Sequence, residues 1–287
     1  MDQRIIDLYD EFVHVHFNRR LFLEKAAKVT GSMGAALALM PMLQSNYALA
    51  TVVAPDDPRV DTGRITFKGA SGDVKAYRAK PKDEAKHGGI VVVHQNRGLN
   101  PHIEDIARRL AVEGYVVVAP DFLSQLGGTP SDEDAAMAMF PKLDNTKVTG
   151  DANAAIAYLL GRRDANGKVG ATGFCWGGDV VNRIAVTNPK ANAISVYYGV
   201  APDLKLVPDI KAALLLNYAD PKIDTRVGAT VPPYEQALKD AHIKYNLYYY
   251  TGANHAFNDD TQSARYDEAA AKLAWQRTLA LFKENVS

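Results

Sequence analysis

From Thr51 onward, short apolar runs alternate with stretches whose apolar residues recur at helical spacing. Arg64 to Lys68 and Val74 to Lys80 alternate apolar and polar residues with a period of two, the pattern of a hairpin. Gly89 to His94 is instead a continuous apolar run, as expected of a strand buried on both faces. The spacing of Ile103, Ile106, Leu110 and Ala111 predicts a helix over 102–113, ended by Gly114. Further strands are predicted at 115–119, 168–172, 194–198, 212–218 and 245–250. Helices are predicted at 151–161, 180–186 and 234–241, with a last amphipathic helix over 265–283. This rhythm implies an α/β fold with a mostly parallel central sheet and helices on both faces. Residues 124–145 lack a strand signal and read as an excursion over the carboxyl edge of the sheet. No Pro/Gly linker divides residues 51–287, so they are expected to form one domain.

The first fifty residues follow a different pattern. Asn18-Arg19-Arg20-Leu21-Phe22-Leu23 precedes a mildly apolar stretch from Ala26 to Leu43, a polar patch, and then Ala48-Leu49-Ala50. A charged region, an apolar region and a small-residue cleavage site are the layout of a signal peptide. The paired arginines point to the twin-arginine type, with cleavage expected after Ala50, a periplasmic or secreted product, and the Tat export machinery as a partner. The alternative is an amphipathic N-terminal helix packed on the domain, in a cytoplasmic protein. Spanning a membrane takes roughly 18 strongly apolar residues, and here Lys28, Thr30, Gly31, Ser32, Gly34 and Pro41 interrupt the stretch, so no stable membrane insertion is expected.

Composition narrows the chemistry. Lysine plus arginine and aspartate plus glutamate are balanced at 33 each, which gives no net field to attract nucleic acid. Cys175 is the single cysteine, so an intramolecular disulfide and a multi-cysteine metal site are both excluded. Its surroundings, Gly173-Phe174-Cys175-Trp176-Gly177-Gly178, lie between a predicted strand and a predicted helix. This is the Gly-x-nucleophile-x-Gly turn, with cysteine in the nucleophile's place. The turn is so tight that side chains at 173 and 177 would collide with backbone, and it sets the sulfur at a helix N-terminus, where a thiolate is favoured. In such folds the acid and then the histidine follow the nucleophile in sequence. Of the two histidines beyond Cys175, His242 ends a predicted helix, whereas His255 lies just past the last strand and is the better base. After the 212–218 strand, Asp220 and Asp224 both remain open as the acid. His94 reads as structural.

Gly-Phe-Cys-Trp-Gly-Gly, Tyr197-Tyr198-Gly199-Val200, Gly252-Ala253-Asn254-His255-Ala256-Phe257 and His94-Gln95-Asn96-Arg97-Gly98-Leu99-Asn100 together resemble the dienelactone hydrolase (carboxymethylenebutenolidase) family, over about residues 64–282. The resemblance implies an α/β-hydrolase fold, a Cys175–His255–Asp224 triad with Asp224 preferred to Asp220, and neither metal nor cofactor. It also implies an oxyanion hole from the backbone N–H groups of Trp176 and Asn96. Two departures stand out. Gln95 replaces a glutamate that touches the resting thiol in the family, which leaves activation to His255 alone. Asp259 stands where an arginine would hold a substrate carboxylate, and residues 124–145 contain no arginine; an acid at 259 is expected to repel such a substrate.

The expected reaction is hydrolysis of a small ester or lactone. His255 takes the Cys175 proton, Asp224 fixes the imidazole, and the thiolate forms a thioester that water releases. Gln95, Arg97, Tyr198 and Phe257, with Trp176, are the expected pocket residues, and Arg97 and Arg226 are candidates for an anionic group. The competing readings are a non-enzymatic binding protein and a thiol redox protein on the same scaffold.

Overall fold

The computed structural model describes residues 1–15, 18–49 and 51–287. Three helices lead the chain: α1 (Gln3–Val15), α2 (Arg19–Thr30) and α3 (Met33–Leu43). Each join is set by local chemistry. Asn18 caps α2 by accepting from Leu21 N, Gly31 ends it in the left-handed region, and Ser32 caps α3 through Ala35 N. The three bury Ile5, Tyr9, Phe12, Phe22, Ala26, Met40 and Leu43 against one another and against Met137, forming an apolar cluster distinct from those of the sheet. The segment with the layout of an export leader is thus folded onto the domain; Ala50, the expected cleavage residue, lies outside the described residues. No single helix among the described residues is long and apolar enough to cross a membrane.

The sheet has eight strands: β1 (Val60–Gly69), β2 (Gly72–Pro81), β3 (His87–Val93), β4 (Val116–Pro120), β5 (Ala165–Phe174), β6 (Ala193–Tyr197), β7 (Ala213–Ala219) and β8 (Tyr245–Tyr250). Their order is β1-β2-β4-β3-β5-β6-β7-β8. β1 pairs antiparallel with β2, and β2 antiparallel with β4; every other pairing is parallel. The continuous apolar runs feed both faces. In β3, Val91 and Val93 join the cluster on one side, while Ile90 and Val92 join the cluster on the other.

The remaining helices are α4 (Pro101–Val112), α5 (Glu133–Met137), α6 (Asn145–Leu160), α7 (Trp176–Thr187), α8 (Thr225–Gly228), α9 (Val231–Asp240) and α10 (Glu268–Asn285). α6, α7 and α9 cover one face, α4 and α10 the other. α6 begins six residues before the 151 start that apolar spacing predicts, because Asp144 caps it through Thr146 N and Lys147 N. Gly150 obscures that first turn in the sequence, yet a Cβ there would lie 2.4 Å from the Ala70 Cβ. Residues 124–145 hold α5 and two 3-10 turns.

α4 also fixes the chain just after the leader-like segment. The buried Asp105 carboxylate accepts from Val52 N at 3.2 Å and Val53 N at 2.9 Å, and Arg108 Nε donates to Val53 O at 2.6 Å.

The reversal from β5 into α7 sets the position of everything above the sheet edge. A Cβ at Gly173 would lie 2.1 Å from Gly177 O, and one at Gly177 would lie 2.4 Å from Val93 O and 2.5 Å from His94 O. These are backbone atoms of the packed turn, strand and helix and cannot yield. We expect Gly177→Ala to destabilise the fold by about 3 kcal/mol. Gly34→Ala, at an exposed position of α3 with nothing near its Cβ, should be neutral or stabilising by up to about 1 kcal/mol. Urea midpoints of the two variants test the contrast; equal midpoints would contradict it.

Candidate active site

Cys175 sits at the turn with φ 57° and ψ −118°, strained for a residue with a side chain. Its own N–H donates to Tyr197 O at 3.0 Å, which ties the turn to β6. The sulfur is 5% exposed and lies at the N-terminus of α7. There the helix dipole and unpaired amides favour negative charge. Among the described residues, neither the Trp176 nor the Asn96 backbone N–H has a protein acceptor.

His255 lies in the loop beyond β8, fully packed, with its Nδ1 2.7 Å from Asp224 Oδ2. Asp224 is held at the start of α8, where its Oδ1 faces Val227 N at 3.4 Å. Of the two acids the sequence leaves open, Asp224 is therefore the one brought to the imidazole. Asp220 instead accepts from Lys222 N and Gly252 N, each at 2.9 Å, and serves the turn. With Nδ1–H donated to Asp224, Nε2 is the nitrogen left for chemistry, and among the described residues it is buried without a hydrogen-bond partner. The Tyr198 ring packs over this imidazole at 4.9 Å.

The sulfur's hydrogen-bond partner is a residue that sequence reasoning passed over. His14, on α1, places Nε2 3.2 Å from Cys175 Sγ. Its Nδ1 lies 2.8 Å from Asp10 O and 3.3 Å from Asp10 Oδ2, so this imidazole too has its far nitrogen tied and its near one directed at sulfur. The rings of His14 and His255 meet edge to face at 4.7 Å. Activation by His255 alone, expected from Gln95, thus gives way to a thiol flanked by two imidazoles. α1 is latched in place at its end: Asn96 Nδ2 donates to Val13 O at 2.7 Å, satisfying one of the carbonyls that a helix C-terminus leaves free. Alongside α1 runs a cleft of about 440 Å³, bounded by Asp7, Asp10 and His14 on one side and by Asp224, Arg226 and His255 on the other.

Charge follows from this geometry. Burial pushes the Cys175 thiol up, but the His255 and His14 cations beside it outweigh burial and hold it well below its ordinary value. Burial lowers His255, yet Asp224, then the sulfur and Asp10, raise it to about 10. His14 is raised as well, by the sulfur and Asp10 against burial.

The sequence pattern of the dienelactone hydrolase family matches residues 74–286. The chain belongs to the dienelactone hydrolase family. A separate pattern, described as YqhI-like, matches residues 1–29, the part that carries α1. A Salmonella typhi protein described as "Putative carboxymethylenebutenolidase" is 31% identical over 252 residues, covering 82% of this chain and 91% of its own. The crystal structure of a Klebsiella pneumoniae protein described as "Putative Dienelactone Hydrolase" superposes with a TM-score of 0.70 at 30% identity, covering 78% of this chain and 99% of its own. The dienelactone hydrolase of Anabaena variabilis shares the fold, with a TM-score of 0.62 at 18% identity over 80% of this chain and all of its own. Such relatives are hydrolases by description, and this chain is a hydrolase of esters or lactones with the α/β-hydrolase fold.

Within this family fold, several expected pocket residues are placed elsewhere. Arg97 is not open to an anionic substrate: it is buried, with Nε 3.1 Å from Glu133 Oε2 and Nη2 3.1 Å from Tyr9 OH. Gln95 is engaged by other side chains, donating to Asp259 Oδ2 at 3.0 Å and accepting from Arg97 Nη1 at 3.4 Å. Asp259 is buried and accepts from Gln95, Thr261 and Gln262 in the interior. Phe257 is core, packed on Tyr198 and Tyr250. Trp176 stacks on His94 and meets Phe140 edge to face, again as packing. His94 is structural as expected, with Nδ1 on Gln95 O and Nε2 accepting from Phe122 N. Arg226 remains exposed at the cleft. Among the described residues, two groups have ligand-type atoms within 4.8 Å of one another: His14, Cys175 and His255, and His102, Asp259 and Asp260. In the second, Arg109 already supplies a cation 2.6 Å from Asp260.

A lowered thiol beside raised imidazoles means the thiolate–imidazolium form persists well below ordinary thiol pH and loses its cation only as His255 titrates near 10. The difference in absorbance at 240 nm between this protein and Cys175→Ser should therefore stay nearly flat from pH 9 to 7. An ordinary thiol would lose about 25-fold of its thiolate over that span, and such a loss would contradict the assignment.

Proposed function

We propose that the chain hydrolyses small esters or lactones through a thioester on Cys175, with His255 and Asp224 completing a triad. The reading rests chiefly on one observation: an imidazole whose Nδ1 is fixed by Asp224 at 2.7 Å, with its Nε2 unpartnered among the described residues, beside the sulfur at the head of α7. The thiolate attacks the carbonyl carbon, and the N–H groups of Trp176 and Asn96 receive the oxyanion. His255 in its imidazolium form gives its Nε2 proton to the leaving oxygen. It then takes a proton from water, whose oxygen attacks the thioester and frees the acid and the thiolate. Asp224 keeps the ring in the tautomer and orientation these transfers require.

Aryl acetates and a simple lactone are the first substrates to test. Cys175→Ala should abolish turnover. Asp224→Asn should lower kcat on the order of 10³-fold or more by presenting the wrong tautomer, while Asp220→Asn should change it less than about threefold. Turnover retained by Cys175→Ala, or equal losses at 220 and 224, would refute the proposal.

A further inference from the structure

α1 carries a histidine–aspartate pair aimed at the same sulfur as His255 and Asp224. We infer that His14, held by Asp10, is a further catalytic residue: the fixed counter-cation of the Cys175 thiolate, which makes the N-terminal helix part of the active site. The inference rests on the acyl-transfer reading above and assigns the thiol's proton within it.

Geometry carries the argument. Of the two imidazoles, it is His14 whose Nε2 makes a directed hydrogen bond to Sγ, at 3.2 Å, while His255 Nε2, though close to the sulfur, has no such bond among the described residues. The Sγ–H proton therefore passes to His14 Nε2, and sulfur keeps the electron pair. This proton stays on His14 through both half-reactions. The one transferred to the leaving oxygen and recovered from water is that of His255. When the C–S bond of the thioester breaks, the thiolate re-forms facing a cation already in place, and no proton is left unaccounted for. The division explains how His255 Nε2 stays free for the substrate.

The groups around His14 support its carrying charge. Asp10 faces it from α1, Cys175 from the turn and His255 from the loop after β8. Arg265 donates to Asp10 at 3.1 Å, and Asp224 stands behind His255. Among the described groups, Asp10 and the sulfur lie directly against His14, and Arg226 and Asp179 complete the charges around Asp224 and the sulfur. Its position is maintained by the Asn96–Val13 latch and by buried Tyr9, which accepts from Arg97. A leader cut after Ala50 would remove this histidine, so the inference concerns the full chain.

The test is the 240 nm thiolate titration of full-length His14→Ala and His14→Gln, each against its own Cys175→Ser background, with the acid limb of aryl ester hydrolysis measured in parallel. The expected result is a thiolate midpoint raised by at least one pH unit in both variants, about a tenfold loss of thiolate at a given acidic pH, with the acid limb of kcat/KM moving by the same amount. Glutamine can hold a hydrogen bond but not a proton, so a wild-type midpoint in His14→Gln would overturn the cationic role. An unmoved midpoint in His14→Ala would reduce His14 to packing, and an unmoved midpoint with increased kcat/KM would make α1 a plug; each overturns the inference. The titration does not depend on turnover. A shifted midpoint in a protein that hydrolyses no ester would uphold His14 and refute the functional proposal instead.

Discussion

The site depends on one steric constraint, the crossing of the β5–α7 turn over its neighbours. Gly177 lies against the carbonyls of Val93 and His94, and Gly178 against Gly199, at separations where only hydrogen fits. Because the backbones meet, β3, β5 and β6 present their carboxyl ends at one place. The loop after β3 then delivers the Asn96 amide, the turn delivers sulfur, and the loop after β6 delivers the Tyr198 ring. Relaxing the crossing by one methyl group would part all three. The strain in Cys175, with its positive φ, is held by the same contacts and by its bond to Tyr197 O.

A second dependency runs from the other end of the chain. α1 meets the site through three distinct attachments: an imidazole on the sulfur, a carbonyl on the Asn96 amide, and a phenol on Arg97. Arg97 is in turn neutralised by Glu133 of α5. A buried guanidinium without that partner would be costly, so the excursion after β4 and the N-terminal helices brace the loop after β3 from two sides.

The sheet was legible because burial on two faces writes itself as unbroken apolar runs. β8 appears in the sequence at its structural bounds, Tyr245–Tyr250, since polar turns flank it closely. α7 was less legible: it starts at Trp176, but two glycines kept for the crossing depress its helical signal until Val180. Cys175 and His255 were readable from their frames and Asp224 from resemblance. His14 was not, because its partner lies 161 residues away and its segment has the layout of an export leader. The signal available was the i, i+4 spacing of Asp10 and His14. Arg97, Asp259 and Phe257 were misplaced for a common reason: residue type tells what a side chain can bind, while the partner already satisfying it is a property of tertiary packing.

The anchor at Val52 and Val53 bears on processing. A protease needs several residues on each side of its target bond drawn out into an extended, accessible strand. Immediately beyond Ala50, both amides are engaged by Asp105, and the Val53 side chain is buried. Were the folded chain to be cut at that junction, the cut would wait on release of this clasp from α4 and be governed by a local opening equilibrium rather than by the sequence around Ala50.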